Sequence, residues 1–131
     1  WMQSQFDKGR GFLLRFMTWY LRKPREVSWV AASALLVRRS DFERIAGFDE
    51  SFFLYFEDID FCLRLREEVG PVFFEPRVTL THLRGVSMST NPMVAESHYR
   101  ESQLRFWRKY KGARHEAIIR LYLRLTKRLP E

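Results

Sequence analysis

Apolar and polar positions fall in blocks of differing period along the chain. Gly11 to Lys23 (GFLLRFMTWYLRK) has the spacing of a helix too apolar to stand uncovered, and Pro24 ends it. Val27 to Arg39 (VSWVAASALLVRR) is a near-continuous apolar run, with the length and β-branched edge of a buried strand preceded by a loop. Ser40 then stands where an N-cap would open a short helix over Asp41 to Ala46, with Glu43 completing a capping box and Gly47 stopping it. From Asp58 onward Ile59, Cys62, Leu63 and Val69 recur at helical spacing, while Asp60 and Arg64 form an i,i+4 pair on another face; Gly70 and Pro71 end that helix. Val72 to Glu75 and Val78 to Thr81 read as two short strands split by Pro76, and His82 falls where the second gives out. Gly85 to Pro92 is a Ser/Thr/Asn-rich loop. Met93 to Lys111 and Arg114 to Leu129 read as two helices separated by Gly112. Strands and helices alternate, so the expected class is α/β.

Composition narrows this picture. The chain has 131 residues, 46% hydrophobic and 16% aromatic, with only 6 Gly and 5 Pro, so disorder and fibrous repeats are excluded and an aromatic-rich core is expected. Such a chain buries roughly two-thirds of its unfolded surface. Cys62 is the only cysteine, which excludes an internal disulfide, a zinc knuckle and a C-x-x-C redox pair, and makes a reducing compartment the simple expectation. No charge-free run approaches the ~18 to 20 apolar residues of a membrane span. The chain opens on Trp1 without the basic-then-apolar pattern of a secretion signal, so it is expected to be a piece or processed form of something longer.

The net charge of +7 is unevenly placed: residues 1–96 balance 13 basic against 13 acidic side chains, and residues 97–131 carry 10 basic against 3 acidic. In Arg114 to Leu129, Ile118, Leu121, Tyr122, Leu125 and Leu129 share one stripe, with Arg120, Arg124, Lys127 and Arg128 beside it. That pattern suits a helix lying on an anionic membrane, at ~1 kcal/mol per basic residue near the headgroups. It suits equally a helix packed on its own domain with a solvated basic face. The basic residues are not interleaved with aromatics as a stacking platform requires, so nucleic acid is not an expected partner.

Chemistry concentrates in GFDESFFLYFEDIDFCLR. Glu57, Asp58 and Asp60 stand at a helix start after Phe52, Phe53, Tyr55 and Phe56. One reading is compensation of the helix dipole, at ~0.3 to 1 kcal/mol. The other is a carboxylate partly desolvated by aromatics and so a better base, with Asp58 accepting a proton from an alcohol and Asp60 held structurally by Arg64. Asp49 and Glu50 are expected to cap or brace the loop. His82 lies 24 residues after Asp58, at a strand end of the kind that faces the ligand crevice of open sheets. It is either a hydrogen-bonded structural residue or one donor of a divalent-cation site. Trp29 stands where a loop can offer an indole face to a sugar ring, and Ser33 is a small polar residue in an apolar run that can lie beneath a ligand or satisfy a carbonyl. No G-x-G-x-x-G, P-loop, H-E-x-x-H or C-x-x-C is present.

The order of features from Val27 to Ser87 resembles the C-terminal half of bacterial family 2 glycosyltransferases of GT-A fold, the rhamnosyltransferase-like group in particular. A tryptophan-containing strand leads to a basic pair, then to G-F-D-E-x-F-F, the E-D-x-D helix, a short hairpin ending in P-x-x-x-x-x-H, and a Ser shortly after. The resemblance implies the C-terminal part of a Rossmann-like, mixed-sheet fold, with residues 1–96 as its acceptor-side half and 97–131 as a basic helical segment packed on it or on a membrane. It implies that Asp58 deprotonates an acceptor hydroxyl and that Glu57 orients Asp58 or contacts the acceptor. His82 would help hold a divalent cation (Mg or Mn), Arg84 and Ser87 would close over a nucleotide diphosphate, and Trp29 would line the acceptor or donor-sugar pocket. The family's Gly-Ala is here Ala32-Ser33, whose added methyl narrows that pocket. Its Asp-x-Asp metal motif is absent outside the E-D-I-D helix, so this chain alone is expected to be inactive.

The implied partners are a nucleotide-diphosphate sugar donor and a glycan or lipid-linked acceptor, at the cytoplasmic membrane face, in cell-surface polysaccharide synthesis. The competing expectation is a non-catalytic basic module that binds a membrane or a protein, whose acids only cap a helix. The apolar segment Gly11 to Lys23 adds an expectation of self-association.

Overall fold

The computed structural model describes residues 22–81, 92–126 and 128–129. Pro24 leads into β1 (Arg25–Val27), which pairs antiparallel with β2 (Val72–Phe74), placing Val27 opposite Val72. Val72 is buried and joins Ile45, Phe61 and Cys62 in the core, with Val27, Val30, Leu35, Val37, Phe42, Leu65 and Val69 packed around them.

The apolar run from Val27 to Arg39 is not a buried strand. Only Val27 belongs to the sheet, Ala32–Ala34 form a 3-10 turn, and Leu36 is 98% exposed. The cause is local: Ala-Ala-Ser-Ala is poor in strand formers, and Val30, Leu35 and Val37 reach the core from an irregular path. The second expected strand, Val78 to Thr81, is likewise exposed coil.

The helix after this run, α1 (Arg39–Arg44), starts one residue before the expected cap. Arg38 is the N-cap and gives no side-chain cap bond, so Ser40 lies within the first turn. Glu43 is engaged by Arg39 at 2.7 Å and Asp41 by Arg38 at 2.8 Å, so ion pairs stand where a capping box was expected. Gly47 does stop the helix: its φ is +68°, its N–H donates to the Phe42 carbonyl at 2.9 Å, and a Cβ there would sit 2.9 Å from the Phe42 ring. Gly47→Ala is therefore expected to cost ~1 to 3 kcal/mol, from left-handed backbone strain and displacement of Phe42, as read by urea denaturation.

Helix α2 (Glu57–Glu68) buries Asp60, Phe61 and Cys62 on its inner side, and the Cys62 thiol donates to the Val30 carbonyl at 3.7 Å. Burial raises the Cys62 pKa, which suits an inert core thiol. Helices α3 (Pro92–Lys111) and α4 (Ala113–Leu125) meet at Gly112, whose φ is +81°. The charge boundary at residue 97 falls inside α3. Helix α4 packs on α3, with Leu104 and Leu123 buried, Glu116 accepting from Arg108 at 3.2 Å, and the Trp107 and His115 rings stacked.

The described residues thus form a mixed helical structure with one two-stranded sheet, compatible with α/β. Among them, no helix is long and apolar enough to cross a membrane. The expected helix at Gly11 to Lys23 lies outside the described residues up to residue 21.

Candidate active site

The turn that enters α2 is strained. Tyr55 and Phe56 have φ of +66° and +68°, a conformation that costs non-glycine residues roughly 1 to 3 kcal/mol each and persists where the surroundings impose it. Helix α3 supplies those surroundings. Tyr99 packs against both Tyr55 and Phe56 at 5.4 Å between ring centroids, Phe106 packs against Phe56 at 5.3 Å, and the Ser102 hydroxyl donates to the Leu54 carbonyl at 2.8 Å. The consequence is that Glu57 and Asp58 open α2 in a fixed place, with the left-handed Phe56 as N-cap.

Asp58 is half-buried. Its Oδ1 accepts the Ile59 N–H at 2.8 Å, and its Oδ2 accepts the Ala32 N–H at 3.4 Å from the 3-10 turn that carries Ser33. Helix-dipole compensation is thus present, and a second element reaches across to the same carboxylate. The small residues of Ala32–Ala34 allow that approach.

Glu57 differs. Its Oε2 is buried with no hydrogen-bond partner among the described residues, and burial pushes its pKa up, with the neighbouring Asp58 charge adding to the shift. A carboxyl whose folded pKa is raised binds its proton more tightly when folded, so stability falls as pH rises from the ordinary glutamate range through the folded pKa. Glu57→Gln is accordingly expected to be slightly more stable at neutral pH, by less than ~1 kcal/mol after solvent screening. Its advantage should vanish in acid, as melting curves across pH would show.

Asp60 faces the opposite way and is fully buried in a polar hub. Its Oδ2 accepts from Arg64 Nε at 2.8 Å, and its Oδ1 accepts from Tyr110 at 2.7 Å and pairs with Lys109 at 2.5 Å. Arg64 also donates to the Ile45 and Gly47 carbonyls at 2.6 and 2.7 Å, which ties α2 to the end of α1. Lys109 bridges to Asp49 at 2.7 Å. Burial works against the Lys109 charge, but the bonds to Asp49 and Asp60 outweigh it and hold the ammonium above its ordinary pKa. The Lys109 bond, seconded by Ser51, holds Asp49 well below the usual carboxylate range. Burial and the Asp60 carboxylate push Tyr110 well up. The Asp60–Arg64 pair was legible from spacing, and Asp49 braces the loop as expected.

The described residues bring together Glu57, Asp58 and the turn bearing Ser33. Ser33 is exposed in that turn and does not lie within a strand. Trp29 is 42% exposed. His82, Arg84 and Ser87 lie outside the described residues. Among the described residues no three His, Cys, Asp or Glu side chains converge to hold a metal ion, and Asp60 of Asp58-Ile59-Asp60 is already committed to three protein partners. What the sequence reading missed is the supporting stripe on α3, Tyr99, Ser102, Phe106, Lys109 and Tyr110. Its spacing, one helix face of aromatics and hydrogen-bonding groups, was a usable signal.

The same segments recur in known proteins. Rhamnosyltransferase WbbL of Escherichia coli K12 is 62% identical over 39 residues, 30% of this chain and 15% of that protein. N-acetylglucosaminyl-diphospho-decaprenol L-rhamnosyltransferase of Mycobacterium tuberculosis is 32% identical over 105 residues, 79% of this chain and 33% of that protein. The low-salt glycan biosynthesis hexosyltransferase Agl10 of Haloferax volcanii is 41% identical over 44 residues, 34% of this chain and 14% of that protein. No family model and no solved structure matches the chain. The chain is thus similar to proteins named as rhamnosyl- and hexosyltransferases, and it spans about a third or less of the length of these relatives.

Proposed function

We propose that this chain is the acceptor-side part of an inverting, family 2 glycosyltransferase of GT-A fold, which moves a hexosyl or rhamnosyl group from a nucleotide-diphosphate sugar to a hydroxyl of a glycan or lipid-linked acceptor. The observation that carries the reading is the Asp58 carboxylate, fixed by N–H groups from two separate elements behind a strained aromatic turn. Catalytic groups are held this way: rigid, partly desolvated and placed by strain maintained elsewhere. The acceptor hydroxyl gives its proton to Asp58 as its oxygen forms a bond to the anomeric carbon. The bond from that carbon to the donor's diphosphate oxygen breaks on the opposite face, and the electron pair leaves with the diphosphate. In this reading Glu57, whose buried Oε2 has no partner among the described residues, orients Asp58 or contacts the acceptor.

Trp29 and Ser33 would line the sugar pocket, and Arg84 and Ser87 would approach the diphosphate. A divalent cation, Mg or Mn, would need His82 together with an Asp-x-Asp pair other than Asp58-Ile59-Asp60. The setting that fits is the cytoplasmic membrane face, in polysaccharide assembly. One relative's name, a glycan biosynthesis hexosyltransferase, and another's, an N-acetylglucosaminyl-diphospho-decaprenol rhamnosyltransferase, support this choice of acceptor class. The test is to incubate the full-length protein with a panel of nucleotide-diphosphate sugars and lipid-diphosphate-linked acceptors. Release of nucleoside diphosphate in step with acceptor glycosylation is expected. A panel in which donors bind and no acceptor is ever glycosylated would contradict the reading.

A further inference from the structure

Helix α4 turns its apolar stripe outward. Ile118, Leu121, Tyr122 and Leu125 are 64, 58, 54 and 77% exposed, while Glu116 and Leu123, on the other side of the helix, face the body of the protein. Of the two arrangements the sequence allows for this helix, packing on its own domain is present, against α3, and that packing does not consume the apolar stripe. Arg114 and Arg124 stand on the helix and Arg128 in the exposed chain just beyond it, and for none of the three is an ion pair found among the described residues. The helix's one acid, Glu116, is buried and already engaged by Arg108 and Arg120.

We infer that the exposed face of α4 docks onto an anionic lipid bilayer, its apolar residues entering the headgroup region and its arginines meeting lipid phosphates. The choice of occupant rests on charge. The face is apolar and cationic with no exposed acid, which is complementary to an anionic membrane surface. A second copy of the same face would bring arginines together with nothing to offset them. The inference goes beyond the transferase reading and does not depend on Asp58.

The test is flotation of the full-length protein with phosphatidylglycerol-containing vesicles and with pure phosphatidylcholine vesicles. Binding to the anionic vesicles is expected, weakened by salt, reduced on the order of tenfold or more in Arg114→Gln/Arg124→Gln/Arg128→Gln, lost in Leu121→Glu/Leu125→Glu, and unchanged in Asp58→Asn. Equal binding by wild type and both multiple variants would overturn the proposal, as would equal binding to both vesicle types. A dimer in sedimentation that Leu121→Glu/Leu125→Glu dissolves, without vesicle binding by the wild type, would make a second copy the occupant and overturn it too. Should the double variant fail to fold, Leu125→Cys carrying a polarity-sensitive dye gives a separate readout, since Cys62 is buried and resists labelling. A blue shift on anionic vesicles supports docking. A dye already shielded before vesicles are added, or indifferent to them, overturns it.

Discussion

Asp58→Asn in the full-length protein is expected to lower kcat/KM for sugar transfer by about 10² to 10⁴-fold, the range that removal of a positioned general base commands. The amide matches the carboxylate in shape, and its oxygen can still accept the Ile59 N–H that now lies 2.8 Å from Oδ1. Only the long 3.4 Å contact with the Ala32 N–H is put at risk, so the folded state should change little. What the amide cannot do is take a proton from an attacking hydroxyl. Steady-state kinetics with a melting curve on the same preparation check both halves of the expectation. Turnover within about threefold of wild type would return Asp58 to a helix-capping role.

The second large effect is on stability. Asp60→Ala is expected to cost ~3 to 5 kcal/mol, because removing one member of a buried charged cluster leaves the others without compensation. Asp60 is fully buried and serves Arg64, Tyr110 and Lys109 at once. Of these, Lys109 keeps Asp49 and Arg64 keeps two carbonyls, but Tyr110 loses its bond to the carboxylate and the cluster loses its charge balance. Against a total stability of ~5 to 15 kcal/mol, that is enough to unfold a marginal domain. Asp60→Asn, which retains an acceptor for Tyr110, should cost less than the alanine. Urea denaturation of both variants gives the comparison, and a loss below ~1 kcal/mol for the alanine would mean the hub is not a structural tie.

The helices were legible wherever short-range rules decide them. Ile59, Cys62 and Val69 repeat at the helical period, Asp60 and Arg64 are a local pair, and Gly47 and Gly112 take positive φ where a helix has to stop or restart. The strands were not, because an apolar run does not reveal its pairing partner. Val27 to Arg39 is hydrophobic enough to be a strand, yet only Val27 meets β2, and the alanines turn instead. Ser40 misled for another reason: the helix opens one residue earlier, on Arg38, and Asp41 and Glu43 are taken up by ion pairs with Arg38 and Arg39. At the candidate site, the carboxylates were visible in E-D-I-D, and their support was not. The strain at Tyr55 and Phe56 is a tertiary effect: α3, more than 40 residues away in sequence, holds those rings through Tyr99 and Phe106. Aromatic composition alone does not say which rings meet.

In the proposed reaction Asp58 moves a proton and does not merely shape the helix that bears it. Single-turnover transfer by full-length Asp58→Asn at saturating donor, with donor affinity measured by calorimetry on the same protein, tests this most directly. Donor affinity close to wild type and a chemical step at least about 10²-fold slower are expected. A chemical step at the wild-type rate, or a defect confined to donor affinity, would contradict this role of Asp58.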